Sequence, residues 1–290
     1  MSVQVFKSGN PICPRIVQAQ VTRRDVLRSF GLTGLAGLFP SLSSAGSTPT
    51  HSLSMLTATN SMFLRYIHWE ITDAALCDEI PWEPLDVIIK ANLDQDSGEA
   101  GGDPLNHGDD NRIEETISRI DSRIKIAQRF LNDSKQYNEE KINEVLIALG
   151  KVFHAVQDLV SHSNYVEIMT ADGKYKTPDE VPPPNFLSWL KHGRPKGILT
   201  GTWDPKNKHV LGTEEEPTHE RLNKDVAPDS VHIKHSPSSV KQVPGMPPHQ
   251  KMFYVAKSVA ISETKAVYKS FLQGLTKDGQ NRWDKIANAW

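Results

Sequence analysis

INEVLIALGKVFHAVQDLVSHSN, residues 142–164, sets the architecture of this chain. Ile142, Val145, Leu146, Leu149, Val152 and Phe153 recur at steps of three and four, the period of an amphipathic helix, which predicts a helix over 139–161. His154, Asp158 and His162 fall at steps of four in the same run. On a helix each is turned only about 40° from the last and lies about 6 Å further along, so the three share one face. That face belongs to an otherwise apolar helix, where polar groups without partners are costly. Imidazole nitrogen and carboxylate oxygen both bind zinc, and a His/Asp ligand set without cysteine fits a catalytic rather than a structural site. A lone histidine on a helix is more often packed or solvated. Three such residues at this spacing, followed by the polar cluster Ser161, Ser163 and Asn164, point to a metal.

Outward from this helix the pattern stays helical. Phe63, Tyr66, Ile67, Ile71, Ala74 and Ala75 predict a helix within 58–78, and 84–93 continues in the same manner after Pro81 and Pro84. Residues 112–131 carry Ile113, Ile117, Ile120, Ile124 and Phe130 at helical spacing, and 250–274 carry Phe253, Ala256, Val259, Ala260, Val267 and Phe271. A last short helix is expected within 282–290. Between Asp94 and Asp110 the composition turns to Gly, Asp and Asn without apolar period, which reads as a loop rich in oxygen ligands. Residues 171–250 read as a long polar connection with one helical pattern near Phe186 to Lys191, and connections of this length are usually functional or mobile. No run alternates with period two for long enough to require a sheet. The predicted fold class is therefore all-α, a multi-helix domain with long polar loops.

Other residues offer what a site with several metals would draw on. His68 stands on the first of these helices, His107 and Asp109 at the end of the acidic loop, and His219 in the long connection. His51, His192, His209, His232, His235 and His249 lie in polar, Pro- or Lys-rich surroundings and read as solvated bystanders.

At 290 residues one large domain is the better expectation than two. The formal charge of -2 gives no electrostatic case for nucleic-acid binding. Thr22-Arg23-Arg24-Asp25-Val26-Leu27 sets two arginines ahead of a short apolar stretch, Ser29 to Pro40, and Ser43-Ser44-Ala45 offers small residues for cleavage before Gly46. This resembles a twin-arginine export signal over residues 1–45, leaving a domain over 46–290 that is periplasmic or secreted. The apolar stretch is shorter than the about 20 residues a membrane-spanning helix needs, so no transmembrane segment is expected. Loss of the signal removes Lys7, Arg15, Arg23, Arg24 and Arg28 against a single acid, Asp25, and makes the remaining chain more acidic. It also removes Cys13, which leaves Cys77 and excludes an internal disulfide from the exported chain.

The stretch Leu149-Gly150-x-x-x-His154-x-x-Gln157-Asp158-x-x-Ser161-His162-Ser163-Asn164-x-x-Glu167, preceded by His68-x-x-Ile71-Thr72-x-x-Ala75-Leu76, resembles the zinc-dependent phospholipase C superfamily. Within it, the branch of the fungal heterokaryon-incompatibility protein Het-C looks nearest. The resemblance spans about residues 60–274 and implies a mostly helical domain holding two or three zinc ions at the bottom of a cleft. It makes His68, His107, His154, Asp158 and His162 ligands, with Asp158 bridging, and His219 a weaker match to the last ligand histidine. Asp94 matches the acidic residue ahead of the loop histidine, as a ligand or the general base, with Asp96 the alternative carboxylate. In the phospholipases the last histidine of the helix motif falls about six positions after the aspartate. Here His162 follows Asp158 by four, as in the Het-C-like branch. Their last ligand pair reads His-x-x-x-Glu, whereas Asn223 stands four residues after His219, which leaves Glu220 or Asp225 as substitutes. Many members also ligate zinc through a tryptophan at the mature N-terminus, where this chain would expose Gly46.

The resulting expectation is a zinc-dependent phosphodiester hydrolase acting as a phospholipase C at a membrane surface. It would release diacylglycerol and a phosphorylated head group, with phosphatidylcholine the expected lipid. A quaternary ammonium head group is held by aromatic faces, for which Tyr66, Trp69, Tyr165 and Trp189 are available. Two competing readings are a single-strand nuclease of the same superfamily and a non-catalytic, Het-C-like membrane-interaction protein that uses metal only to fold.

Overall fold

Helical period in the sequence becomes helix almost wherever it occurs. The computed structural model describes residues 54–133, 135, 138–203, 212–230 and 233–288, so the expected signal segment 1–45 lies outside the described residues. In chain order the helices are α1 (Ser54–Leu76), α2 (Trp82–Leu93), α3 (Pro104–His107), α4 (Ile113–Asn132), α5 (Glu139–Ser161), α6 (Tyr165–Thr170), α7 (Phe186–His192), α8 (His219–Leu222), α9 (Met252–Gln273) and α10 (Lys277–Asn288). Short 3-10 turns at Asp94–Asp96, Ala100–Gly102, Pro178–Glu180, Ile233–His235 and Pro237–Val240 punctuate the loops. Among the described residues there is no strand, only isolated bridges such as Ser163 with Thr200 and Thr202 with Thr218. Over the described residues the fold is all-α, as the sequence predicts.

The chain divides at Thr57, and residues 58–290 form one unit built around α5. Asn138 starts this helix by accepting the Lys141 N–H on its side chain. α5 packs on α2, α4 and α9, and Val145, Leu146, Leu149, Val152, Phe153, Val156 and Val160 are almost fully buried. The contact with α2 is unusually close. A Cβ at Gly150 would lie 2.3 Å from the Ile88 carbonyl and 2.9 Å from the Asn92 nitrogen, so only glycine lets the two backbones approach this far. Within the long connection, the N–H groups of Asn185 and Phe186 donate to Glu263 of α9, which caps α7, while burial pushes the Glu263 carboxyl up to about 7.

Two loops deliver the remaining site residues. Asp103 accepts the Leu105 N–H and Pro104 fills the first position of α3, and Gly108 ends it at φ 69°. A Cβ at Gly108 would strike the Leu159 side chain at 2.5 Å, so the turn after His107 lies directly on α5. Arg119 and Arg123 of α4 both donate to Asn106 Oδ1, and Arg119 also pairs with Asp103, which pins this loop. No helix among the described residues is long and apolar enough to cross a membrane.

Candidate metal centre

The shared face of α5 carries His154 and Asp158, and His162 caps the end of the same helix. α1 brings His68, the turn after α2 brings Asp96, and the end of α3 brings His107, with Asp109 beyond Gly108. His219 opens α8 and Asp225 follows it. All of these side chains are buried or nearly so, Asp158 to 1% exposure and His154 to 0%.

Asp158 is the hub. Its Oδ2 lies 2.8 Å from His107 Nδ1 and 3.0 Å from His154 Nε2, and its Oδ1 lies 3.1 Å from His68 Nε2 and 3.9 Å from His162 Nε2. His154 Nε2 is also 3.1 Å from His107 Nδ1 and 3.7 Å from Asp96 Oδ1. Beyond Asp158, His162 Nε2 is 3.3 Å from Asp225 Oδ2, His162 Nδ1 is 3.7 Å from Asp109 Oδ1, and His219 Nδ1 is 3.0 Å from Asp109 Oδ1. Two groups result. An inner one comprises His68, Asp96, His107 and His154. An outer one comprises Asp109, His162, His219 and Asp225, and Asp158 stands between them.

The far nitrogens of the inner imidazoles are all engaged. His68 Nδ1 donates to Gln157 Oε1 at 2.7 Å, His154 Nδ1 to Asn92 Oδ1 at 3.2 Å, and His107 Nε2 to the Ala100 carbonyl at 3.3 Å. Gln157 and Asn92 are themselves held on Thr72 Oγ1 and on each other, in a fully buried network. A neutral imidazole has one N–H and one lone pair, so these bonds turn three lone pairs toward Asp158. Lone pairs facing carboxylate oxygens at about 3 Å repel unless a cation sits among them. This is the orientation that metal-binding histidines take from their second hydrogen bond.

The titration of the centre carries the same message. Burial opposes charge on His68, yet the adjacent Asp158 lifts it to about 10. Burial likewise opposes charge on His219, but Asp109 raises it to about 9, and Asp158 raises His107. His154 is held down by its burial, with the neighbouring His68 adding to the effect. Burial works against ionisation of Asp158, but His154, His162 and His68 outweigh it and hold the carboxyl well below its usual range. Without a metal, protons must supply the positive charge. The buried oxygens Asp158 Oδ1, Asp96 Oδ2 and Asp225 Oδ1 and the His162 Nδ1 atom have no hydrogen-bond partner. Buried polar atoms without partners are rare, and a bound ion or ordered water is the usual way such atoms are satisfied. The residues fit a divalent cation, and several of their groupings could hold one.

Of the residues expected from sequence, the structure brings together His68, His107, Asp109, His154, Asp158, His162 and His219. It does not bring in Asp94. That carboxylate is 69% exposed and pairs with Arg65 at 3.3 Å, because the 3-10 turn Asp94–Asp96 points its first residue outward and its third inward. Asp96 is the carboxylate that reaches His154. Asp225, rather than Glu220, lies among the cluster's groupings. Sequence carried no signal for either choice beyond proximity, since neither loop has a period. His192 and His249 are exposed. Tyr165 and Trp189 are core residues, and Tyr66 stacks on Trp69 at the surface, with Tyr66 half exposed.

Comparison with known families gives one match, over residues 71–178, roughly a third of the chain. The match is to the VWA7 N-terminal domain. No curated protein and no solved structure matches. The resemblance to the zinc-dependent phospholipase C superfamily and its Het-C-like branch is therefore corrected: the matching profile belongs to a different family. The physical reason is that ligands at i, i+4 and i+8 recur on any buried helix that presents metal ligands on one face, so the spacing reports geometry and not descent. The matched segment carries Asp96, His107, Asp109, His154, Asp158 and His162, and it excludes His68, His219 and Asp225.

Proposed function

We propose that this chain is a zinc-dependent phosphodiester hydrolase, exported from the cytoplasm, whose substrate is a phospholipid cleaved on the glycerol side of its phosphate. The observation that carries the reading is the single carboxylate Asp158 set between two groups of His and Asp ligands, each able to hold a cation. Zinc fits this donor set of imidazoles and carboxylates without cysteine. A pair of such ions supplies an acidified water and neutralises charge on the phosphoryl oxygens.

The chain's own contribution is placement and exclusion of water. Gln157, Asn92 and the Ala100 carbonyl fix the ring orientation of His68, His154 and His107, so the donors are arranged before the substrate arrives. The carboxylates of Asp96, Asp109, Asp158 and Asp225 balance the charge of two divalent ions. The absence of basic excess in the chain favours a lipid over a nucleic-acid substrate.

Purified protein lacking residues 1–45, loaded with zinc and freed of excess metal, tests the reading. Phosphatidylcholine vesicles and single-stranded DNA serve as parallel substrates. We expect about two zinc ions per chain and release of diacylglycerol. DNA cleavage without diacylglycerol would remove the lipid assignment, and no turnover of either substrate by zinc-loaded protein would remove the hydrolase.

A further inference from the structure

Lys224 follows α8, between Asn223 and Asp225, and its side chain is completely buried. Its ammonium donates to the Leu222 carbonyl at 2.6 Å, to the Ser163 carbonyl at 2.7 Å and to Glu167 Oε1 at 3.1 Å. An ammonium has three N–H bonds, and all three are used inside the protein. None remains to hold a phosphate or any other substrate group.

The acceptors show what the cation joins. Leu222 ends the helix that His219 opens. Ser163 directly follows His162 at the end of α5, and Glu167 lies in the first turn of α6. One side chain thus ties the segment bearing His219 and Asp225 to the point where His162 leaves α5. Asn223 completes the arrangement from the other side, with its Oδ1 accepting the Asp225 N–H at 2.9 Å and its Nδ2 3.4 Å from His219 Nε2. A fully buried charge is expensive compared with a neutral or apolar link, which marks this one as serving a placement that simple packing would not enforce.

We propose that Lys224 is a positioning residue for the outer group of the metal centre, setting Asp225 and His219 against His162 so that the second cation is held. The inner group lies on α1, α5 and the 94–107 loop; Lys224 lines a cavity beside Ile67, His68 and Gln157, but all three of its hydrogen bonds go to residues outside that group. Loss of the clamp should therefore separate the two sites. This inference rests on the reading of the cluster as a metal centre.

The experiment is metal binding by the full exported chain and by its Lys224→Met and Glu167→Gln variants. Zinc content is measured after equilibrium dialysis across a range of free zinc, and cobalt-loaded samples are compared by visible absorption. Wild type should bind two ions. Lys224→Met should keep the first with affinity within about twofold and bind the second at least about tenfold more weakly, the scale on which supporting contacts act. Glu167→Gln, which leaves both carbonyl bonds in place, should weaken the second ion alone and by less, and it decides the matter should Lys224→Met fail to fold. Two ions at wild-type affinity in Glu167→Gln and in any folded Lys224→Met would overturn the inference, as would equal weakening of both ions. A wild-type protein that binds no zinc would instead remove the metal centre itself.

Discussion

The two groups that meet at Asp158 are built by different means. In the inner group His68 and His154 come from long helices, and the second nitrogen of each imidazole is fixed by Gln157 or Asn92. In the outer group the ligands come mostly from loops. His219 spends Nδ1 on Asp109, and His162 Nδ1 and Asp225 Oδ1 have no partner. The ligands of the inner group are therefore oriented by hydrogen bonds within the protein, whereas those of the outer group depend on how their loops are tethered. On the proposed reading, one cation would be held through rigid secondary structure and another through tethered chain. The first should fill at lower zinc concentration than the second.

Removing what the groups share should have the largest effect. Asp158→Asn takes an anionic oxygen from each group, so both ions should weaken and turnover should fall on the order of a thousandfold, matching a loss of several kcal/mol of charge stabilisation. Zinc content and activity measured together check this. Weakening of only one ion would show that Asp158 serves one group and not both.

Acidity should act on both groups next. In the metal-free protein His68 is raised to about 10 and His219 to about 9, one in each group. Imidazoles whose folded-state pKa lies above the unfolded value stabilise the fold fully below about 6.5, and lose that contribution as pH rises through 9 and 10. The metal-free protein should therefore melt at progressively lower temperature between pH 7 and 10. Zinc displaces these protons, so its affinity should rise with pH over the same window and its binding should release protons. Calorimetry in buffers of different ionisation enthalpy measures the release. Zinc uptake without proton release would contradict the charge balance inferred for the centre.

A smaller effect should tell the groups apart. Gln157→Leu removes the acceptor of His68 Nδ1 and breaks the bonds to Asn92 and Thr72, none of which involves a residue of the outer group. The first ion should weaken by about 10- to 100-fold and the second should hold. It is the counterpart of Lys224→Met, and the two variants together form a double dissociation in one dialysis experiment.

The legibility of the molecule follows the same division. α5 takes the bounds 139–161 that its apolar period predicts, because the period, the Asn138 cap and the buried face all agree. His68, His154, Asp158 and His162 were legible because a helix fixes the direction of its side chains. The loop ligands were legible only as residue types. Asp109 and His219 meet across 110 positions, and no local pattern announces such a pair. Nothing in the sequence singles out Lys224, since only the folded chain shows its three acceptors. Spacing on α5 pointed to a cluster of side chains that could hold a metal, and the structure brings that cluster together, but it misdirected the family, because descent is not written in ligand spacing.

The acidic turn after α2 offers the finest test of that division. The family resemblance singles out Asp94, whereas Asp96 is the residue whose Oδ1 lies 3.7 Å from His154 Nε2 and whose Oδ2 is buried without a partner. Asp96→Asn keeps the shape of the side chain and removes its charge, so the first ion should weaken by roughly tenfold, a share fitting one peripheral carboxylate. Asp94→Asn breaks only an exposed pair with Arg65, and such pairs contribute at most about 1 kcal/mol to stability. It should leave zinc affinity unchanged and move the melting temperature little. Were Asp94→Asn instead to cost zinc while Asp96→Asn did not, the turn would have to rotate on metal binding and carry the first carboxylate inward. The inner group would then be shaped by its ion on that side, and its contrast with the outer group would narrow to the histidines on α1 and α5.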